Sequence, residues 1–461
     1  MSIANFPASM NLGAVKESCL KEAKPNLTRI KSDSTSYTAL DTIRMEIPCG
    51  RRGDYLHPQD SFIEFKMKVD FAVTAGGLSL DANAYSIFRN LRIYHGSNLL
   101  VNQTNCNRLW SALYDYQYSN GERNADTISL GIATDTVNSR HNGMYGITLT
   151  DDAWYQFSFV LPCSILGSLS DKAIPLGWAG ASNIFLELDI DGATRILTTR
   201  EHNSLILGRV GQNTTAPPTI NSLVIADVFY NAKITNIDSA YDDLLRQTFG
   251  NGEVLLPAVE FRGEQKTVSA STSFSDKFSF QFSSAKFILW WLTTQSTANG
   301  SAYGTHNLNS AISQRMMGTL RDYMISLNGE NYPSSGISCA LNGLTTVGSR
   351  QFGANAYQQL LRCFNENSAV NRGGILDYNL YCNNVSTVAG DETAKRFIGA
   401  LSLDRVDGNN DRYMSGMNTM NSNFVLNVNW ETALSIDCFL YCYCQYDCAY
   451  MLKDGLLSVR Y

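Results

Sequence analysis

The residues that could do chemistry are few and scattered. His57, His95, His141, His202 and His306 stand apart, with no H-E-x-x-H and no pair at metal-ligand spacing. Gly336-Ile337-Ser338-Cys339 begins like a nucleophile elbow, but Ala340 occupies the place of its closing glycine. Gly250-Asn251-Gly252 lacks the third glycine of a dinucleotide loop, and no Gly-Lys-Ser/Thr is present to cradle phosphate. Asp151-Asp152 is expected in a loop and Asp242-Asp243 on a solvated helix face, so neither pair sets two carboxylates across a substrate. The expectation is a protein that is not an enzyme, with no catalytic, cofactor-binding or metal site.

Eleven cysteines are present and no C-x2-C occurs among them. Cys438, Cys442, Cys444 and Cys448 cluster, yet all four share one parity of a segment with two-residue periodicity. That places them on one face of a strand as small buried thiols rather than in the tetrahedral spacing of zinc. Arg52-Gly53-Asp54 has the composition of a turn, and in an exposed loop it is also the tripeptide that integrins read. Asn26, Asn102, Asn213, Asn299 and Asn384 begin N-x-S/T triplets, but Met1–Asn5 does not open a signal peptide, so they are expected to stay unmodified in a reducing compartment.

Positioning these residues falls to a β-rich chain. Charged residues are 17% of 461, under the ~25% of an average soluble protein, and 44% are hydrophobic. Lys+Arg 36 against Asp+Glu 42 leaves −6 and no basic stripe for nucleic acid. Ala433–Leu452 is apolar enough to suggest a membrane span, but Ser435, Asp437, Gln445 and Asp447 all fall on odd positions, which is strand alternation. Strands are expected at 41–49, 61–73, 87–100, 154–166, 183–191 and 222–234. A second set is expected at 259–282, 286–294, 323–331, 396–403 and 423–430, closing with a C-terminal pair. Short helices are expected at 107–114, 239–249 and 356–364.

The halves repeat. Phe62-Ile63-Glu64-Phe65 aligns with Phe287-Ile288-Leu289-Trp290, Tyr94–Asn98 with Leu327–Asn331, the helix of Leu109 with that of Leu360, and Asn183–Leu186 with Asn423–Leu426. Leu223-Val224-Ile225 then matches Leu434-Ser435-Ile436 at a shorter offset, leaving an insertion at 192–219. The expected fold is all-β: two tandem eight-stranded jelly-roll sandwiches with a few short helices. The expected organisation is an N-terminal arm 1–35, a first jelly roll 36–235, a linker with a helix 236–258 and a second jelly roll 259–461. The insertion carries Ile196, Leu197, Leu205, Ile206 and Leu207, and is expected to clasp a neighbouring subunit.

Tyr55–Lys66, together with Ile87–Gly96 and the helix after it, resembles the double jelly-roll major capsid proteins of icosahedral DNA viruses. The likeness is greatest to the Polinton-type, adintovirus and virophage branch, with adenovirus hexon and tailless-phage proteins more distant. The resemblance implies a homotrimeric, pseudo-hexagonal capsomer in a virion capsid. Its partners would be copies of itself, penton and minor capsid proteins. The genome would be enclosed without sequence-specific binding, and no transmembrane segment is expected. The competing reading is a tandem β-sandwich that binds carbohydrate or acts as an adhesin, which would need exposed tryptophans.

Overall fold

A computed structural model of the chain describes residues 24–72, 77–117, 125–132, 147–170, 172–180, 182–200, 219–248, 254–295, 311–339, 354–364, 381, 396–404, 414–434 and 436–461. Alternation builds its strands. In Ile184–Ile190 the residues Ile184, Leu186, Leu188 and Ile190 point inward, and in Phe424–Trp430 so do Phe424, Leu426, Val428 and Trp430.

Eight strands form the first sandwich: β1 (Lys24–Lys31), β2 (Thr42–Ile47), β3 (Phe62–Phe71), β4 (Phe88–His95), β5 (Asn98–Gln103), β6 (Trp154–Phe159), β7 (Ile184–Ile190) and β8 (Ile220–Asn236). One sheet runs β1-β8-β3-β6 and the facing sheet β2-β7-β4-β5, antiparallel throughout. The second sandwich has β9 (Val254–Val268), β10 (Ser273–Phe278), β11 (Ala285–Thr294), β12 (Leu320–Leu327), β13 (Glu330–Ser338), β14 (Gly399–Ser402), β15 (Phe424–Trp430) and β16 (Cys438–Lys453). Its sheets run β9-β16-β11-β14 and β10-β15-β12-β13, the same order shifted by eight strands. That is the jelly roll, twice. A final strand, Leu456–Arg460, turns back on β16.

Helix α1 (Cys106–Gln117) and helix α3 (Ala354–Cys363) lie in the fifth-to-sixth-strand crossover of each sandwich, and α2 (Ser239–Thr248) lies between the sandwiches. Aromatic side chains fill both cores. Phe65 meets Phe88 edge-on at 5.3 Å in the first, and Trp290 meets Tyr323 at 5.3 Å in the second.

Three readings of the sequence need correction. Lys24–Lys31, assigned to the arm, is the first strand of the first sandwich and pairs along its length with β8. The stretch 259–282 is two strands, broken at Ser269–Thr272, and β9 already begins at Val254. Ile196 and Leu197, expected on a clasp, are fully buried in their own sandwich, where Leu197–Arg200 pairs with Gly77–Leu80. The other insertion residues Leu205, Ile206 and Leu207 lie outside the described residues. Register also shortens the insertion. Ala226 opposes Lys66 and Tyr441 opposes Trp291, an offset of 441 − 226 = 215, so the excess over the 240 offset of the seventh strands is 240 − 215 = 25 residues.

Candidate functional site

A concentration of buried polar groups lies in the seam where the two sandwiches meet. The end of β5 and the start of α1 supply one side. Thr104 Oγ1 donates to the Gly263 carbonyl at 2.8 Å, covering the edge strand β9, and Tyr443 OH donates to the Asn105 carbonyl at 2.9 Å. Gly263 is needed for this approach, since a Cβ there would sit 2.5 Å from the Tyr443 ring and 3.0 Å from the Thr104 carbonyl oxygen.

Three acidic side chains anchor the seam. Glu260 on β9 is 1% exposed and accepts from Gln103 Nε2, from Ser164 Oγ at 2.6 Å, from Ser164 N at 3.0 Å and from Phe261 N at 2.9 Å. Burial pushes its carboxyl above the ordinary value against the pull of those donors. Asp81, from the first sandwich, accepts Ile312 N at 2.6 Å, Ser313 N at 3.0 Å and Ser313 Oγ. Asp115 on α1 pairs with Arg315, and with Arg396 at 3.7 Å. Burial pushes the Arg315 guanidinium down to about 10, with Asp115 opposing the shift. Arg108 lies 4.4 Å over the Tyr441 ring and donates to the Ala311 carbonyl. At the far end His95, 1% exposed, accepts Leu457 N at Nδ1 (3.2 Å) while its Nε2 faces the Ala179 carbonyl at 3.0 Å. Such groups hold one sandwich at a fixed orientation to the other.

The helix between the sandwiches has its own anchor. Asp242, expected on a solvated face, is fully buried, because α2 docks on the base of the first sandwich. Its Oδ1 accepts Tyr55 OH at 2.9 Å and Trp178 Nε1 at 2.7 Å, and Arg246 approaches at 3.7 Å. Arg52 pairs with Asp243, and Asp54 accepts Asn236 Nδ2 at 2.6 Å with its side chain 13% exposed. The Arg52-Gly53-Asp54 tripeptide therefore clamps the linker, with Gly53 at φ +80° where a Cβ would collide with the Ile237 carbonyl oxygen.

The remaining candidates do not converge. His57 bonds Thr235 Oγ1 at 2.9 Å, and His141, His202 and His306 lie outside the described residues. Asp151 accepts Phe71 N, and Asp152 pairs with Lys68. Cys438, Cys442, Cys444 and Cys448 are buried on β16, and burial raises the thiols of the last three. Asn26 and Asn102 lie on β1 and β5, while Asn213, Asn299 and Asn384 are outside the described residues. The seam acids had one legible signal. Glu260 continues the inward register of Leu256 and Ala258, and a carboxylate in a buried register needs donors from somewhere.

No family model matches the chain, and no curated protein does. Solved structures do match. A chain of the PBCV-1 virus capsid superposes with a TM-score of 0.55 at 14% identity, covering 95% of this chain and 97% of that one. A chain of the Sputnik virophage gives 0.56 at 12% identity, covering 100% and 93%. The Faustovirus major capsid protein gives 0.53 at 10% identity, covering 95% and 91%. The chain has the double jelly-roll fold of these structures, as the resemblance implied, and at such identities the likeness is one of fold.

Proposed function

We propose that the chain is a viral major capsid protein, a structural subunit that associates as a homotrimer into a pseudo-hexagonal capsomer. Many copies would build an icosahedral shell around a DNA genome. The observation that carries this reading is the strand order 1-8-3-6 facing 2-7-4-5, repeated in both halves and matched over nearly the whole length of capsid chains. Sparse charge and open edge strands suit a subunit that buries much surface against its own copies. Penton and minor capsid proteins would be the further partners, and the virion capsid the place of residence. No helix among the described residues is long and apolar enough to cross a membrane.

The carbohydrate-binding reading needs aromatic platforms. Of the six tryptophans only Trp154 is exposed, at 49%, and Lys68 lies 5.4 Å over its ring. Light scattering of the purified protein tests the assembly, with three times 51.0 kDa, or larger shells, as the expected result. A monodisperse monomer at micromolar concentration contradicts it.

A further inference from the structure

Lys286 and Asp447 form a buried charged pair away from the seam. Asp447 falls on the face of β16 that strand alternation assigns to solvent, yet it is 1% exposed, and Lys286 is 4% exposed. β11 carries a bulge at this point. Ala285 opposes Tyr446 and Phe287 opposes Gln445, so Lys286 is the extra residue. The segment Met414–Met417 lies over the bulge, where Met417 and Ala285 exchange both backbone hydrogen bonds at 2.8 Å. Gly416 permits that approach, since a Cβ on it would collide with the Ala285 carbonyl oxygen.

The two carboxylate oxygens of Asp447 are placed differently. Oδ2 accepts Ser284 Oγ, and Met414 N at 3.1 Å. Gly416 N donates in turn to Ser284 Oγ at 2.9 Å, which turns the hydroxyl proton toward the carboxylate. Oδ1 faces Lys286 Nζ at 3.5 Å, and Asp447 is the one ion-pair partner of that nitrogen among the described residues. An ammonium so placed has lost its water for a single long contact. Burial lifts the Asp447 carboxyl above its ordinary value, with Asp404 adding to the lift and Ser284 and Lys286 opposing it. Desolvation of both groups favours the same proton transfer, from ammonium to carboxylate, which sets a free amine against a carboxylic acid.

We propose that this pair condenses, so that the folded chain carries an amide bond from Lys286 Nζ to Asp447 Cγ. The amine lone pair attacks Cγ. Negative charge gathers on Oδ2, where Ser284 Oγ–H and Met414 N–H already point. Oδ1 departs as water, with the acid's own proton and one proton of the amine, and the amide keeps the other. Nothing is oxidised and no co-reactant is consumed. The step occurs once per chain, as a modification and not as turnover. The bond closes a loop of 447 − 286 = 161 residues and so restricts the unfolded chain. It stands apart from the assembly proposed above, since a monomer and a trimer would carry it alike.

Intact-mass spectrometry of the full chain, denatured after purification, tests the proposal. The expected mass is lower than the sequence mass by one water, and proteolysis should release a branched peptide that contains both Lys286 and Asp447. Lys286→Met is expected at its full sequence mass. A loss of water that persists in Lys286→Met places the dehydration elsewhere, as in a cyclic imide, and overturns the bond. An unmodified chain at its full sequence mass leaves an ion pair and overturns it equally. If Lys286→Met does not fold, the branched peptide of the unmodified chain decides alone, and its absence overturns the bond.

Discussion

Asp242 and Glu260 show how single carboxylates fix large bodies. Removing the Asp242 side chain leaves Tyr55 OH and Trp178 Nε1 without their acceptor. At roughly 1–3 kcal/mol for each buried group so stranded, Asp242→Ala should cost about 2–5 kcal/mol and Asp242→Asn, which keeps an acceptor oxygen, less than half of that. Thermal unfolding of the two variants measures the difference. Equal losses would locate the effect in charge rather than in hydrogen bonding. For Glu260 the sign follows from burial. Its value in the folded chain lies above that in the unfolded chain, so folding binds its proton more tightly. The associated stability is complete below about pH 4 and is lost as pH rises through the folded value. Glu260→Gln does not titrate, so the Tm of the native protein relative to the variant should fall as pH rises above about 4. A gap independent of pH would mean that the proton is held elsewhere.

Elements were legible where their periodicity was strong. The inward series of β3, β7, β15 and β16 stand out because one face is apolar and the other is not. The three helices declared themselves through their apolar stripes. β1 did not, since Lys-Pro-Asn-Leu-Thr-Arg-Ile-Lys buries only Ile30 and Pro25 weakens any strand assignment. Its pairing comes from β8, some 200 residues later, which no local window contains. β13 was hidden in the same way by Pro333 and Gly336. The seam was invisible for a different reason: Glu260, Asp81 and Asp115 take their donors from the opposite sandwich, so only the assembled pair makes sense of them. Gly263 offers the element-scale test. Gly263→Ala pushes a methyl against Tyr443, whose hydroxyl is tied to Asn105, and overpacking of this kind costs about 1–3 kcal/mol. The expected readout is faster protease cleavage between the sandwiches with both cores intact. Unchanged cleavage would mean that the seam tolerates the displacement.

At the scale of the whole molecule the two halves are alike in topology and unlike in independence. The first sandwich meets the seam chiefly with polar groups of Gln103, Thr104, Asn105, Arg108, Asp115 and Ser164, and with the ring of Tyr116. The second meets it with Tyr441 under Arg108, Tyr443 on Asn105 and Phe364 stacked on Tyr116, as well as its acids and arginines. Expressed separately, the first half should remain soluble, and the second should aggregate through that aromatic face. Sedimentation of the two fragments decides it, and a soluble second half would show that the seam is not the chief cover of those side chains.

The same asymmetry has a direction in time. β8 completes the first sandwich at Asn236, and β16 completes the second at Lys453, 453 − 236 = 217 residues later. At roughly 5–20 residues per second a ribosome takes about 10–40 s to cover that interval. The half with the polar seam surface is therefore finished first, and the sticky aromatic face emerges beside a partner already folded to receive it. Reversing the order of the sandwiches by circular permutation would keep every contact, yet leave that face waiting on the ribosome for its cover.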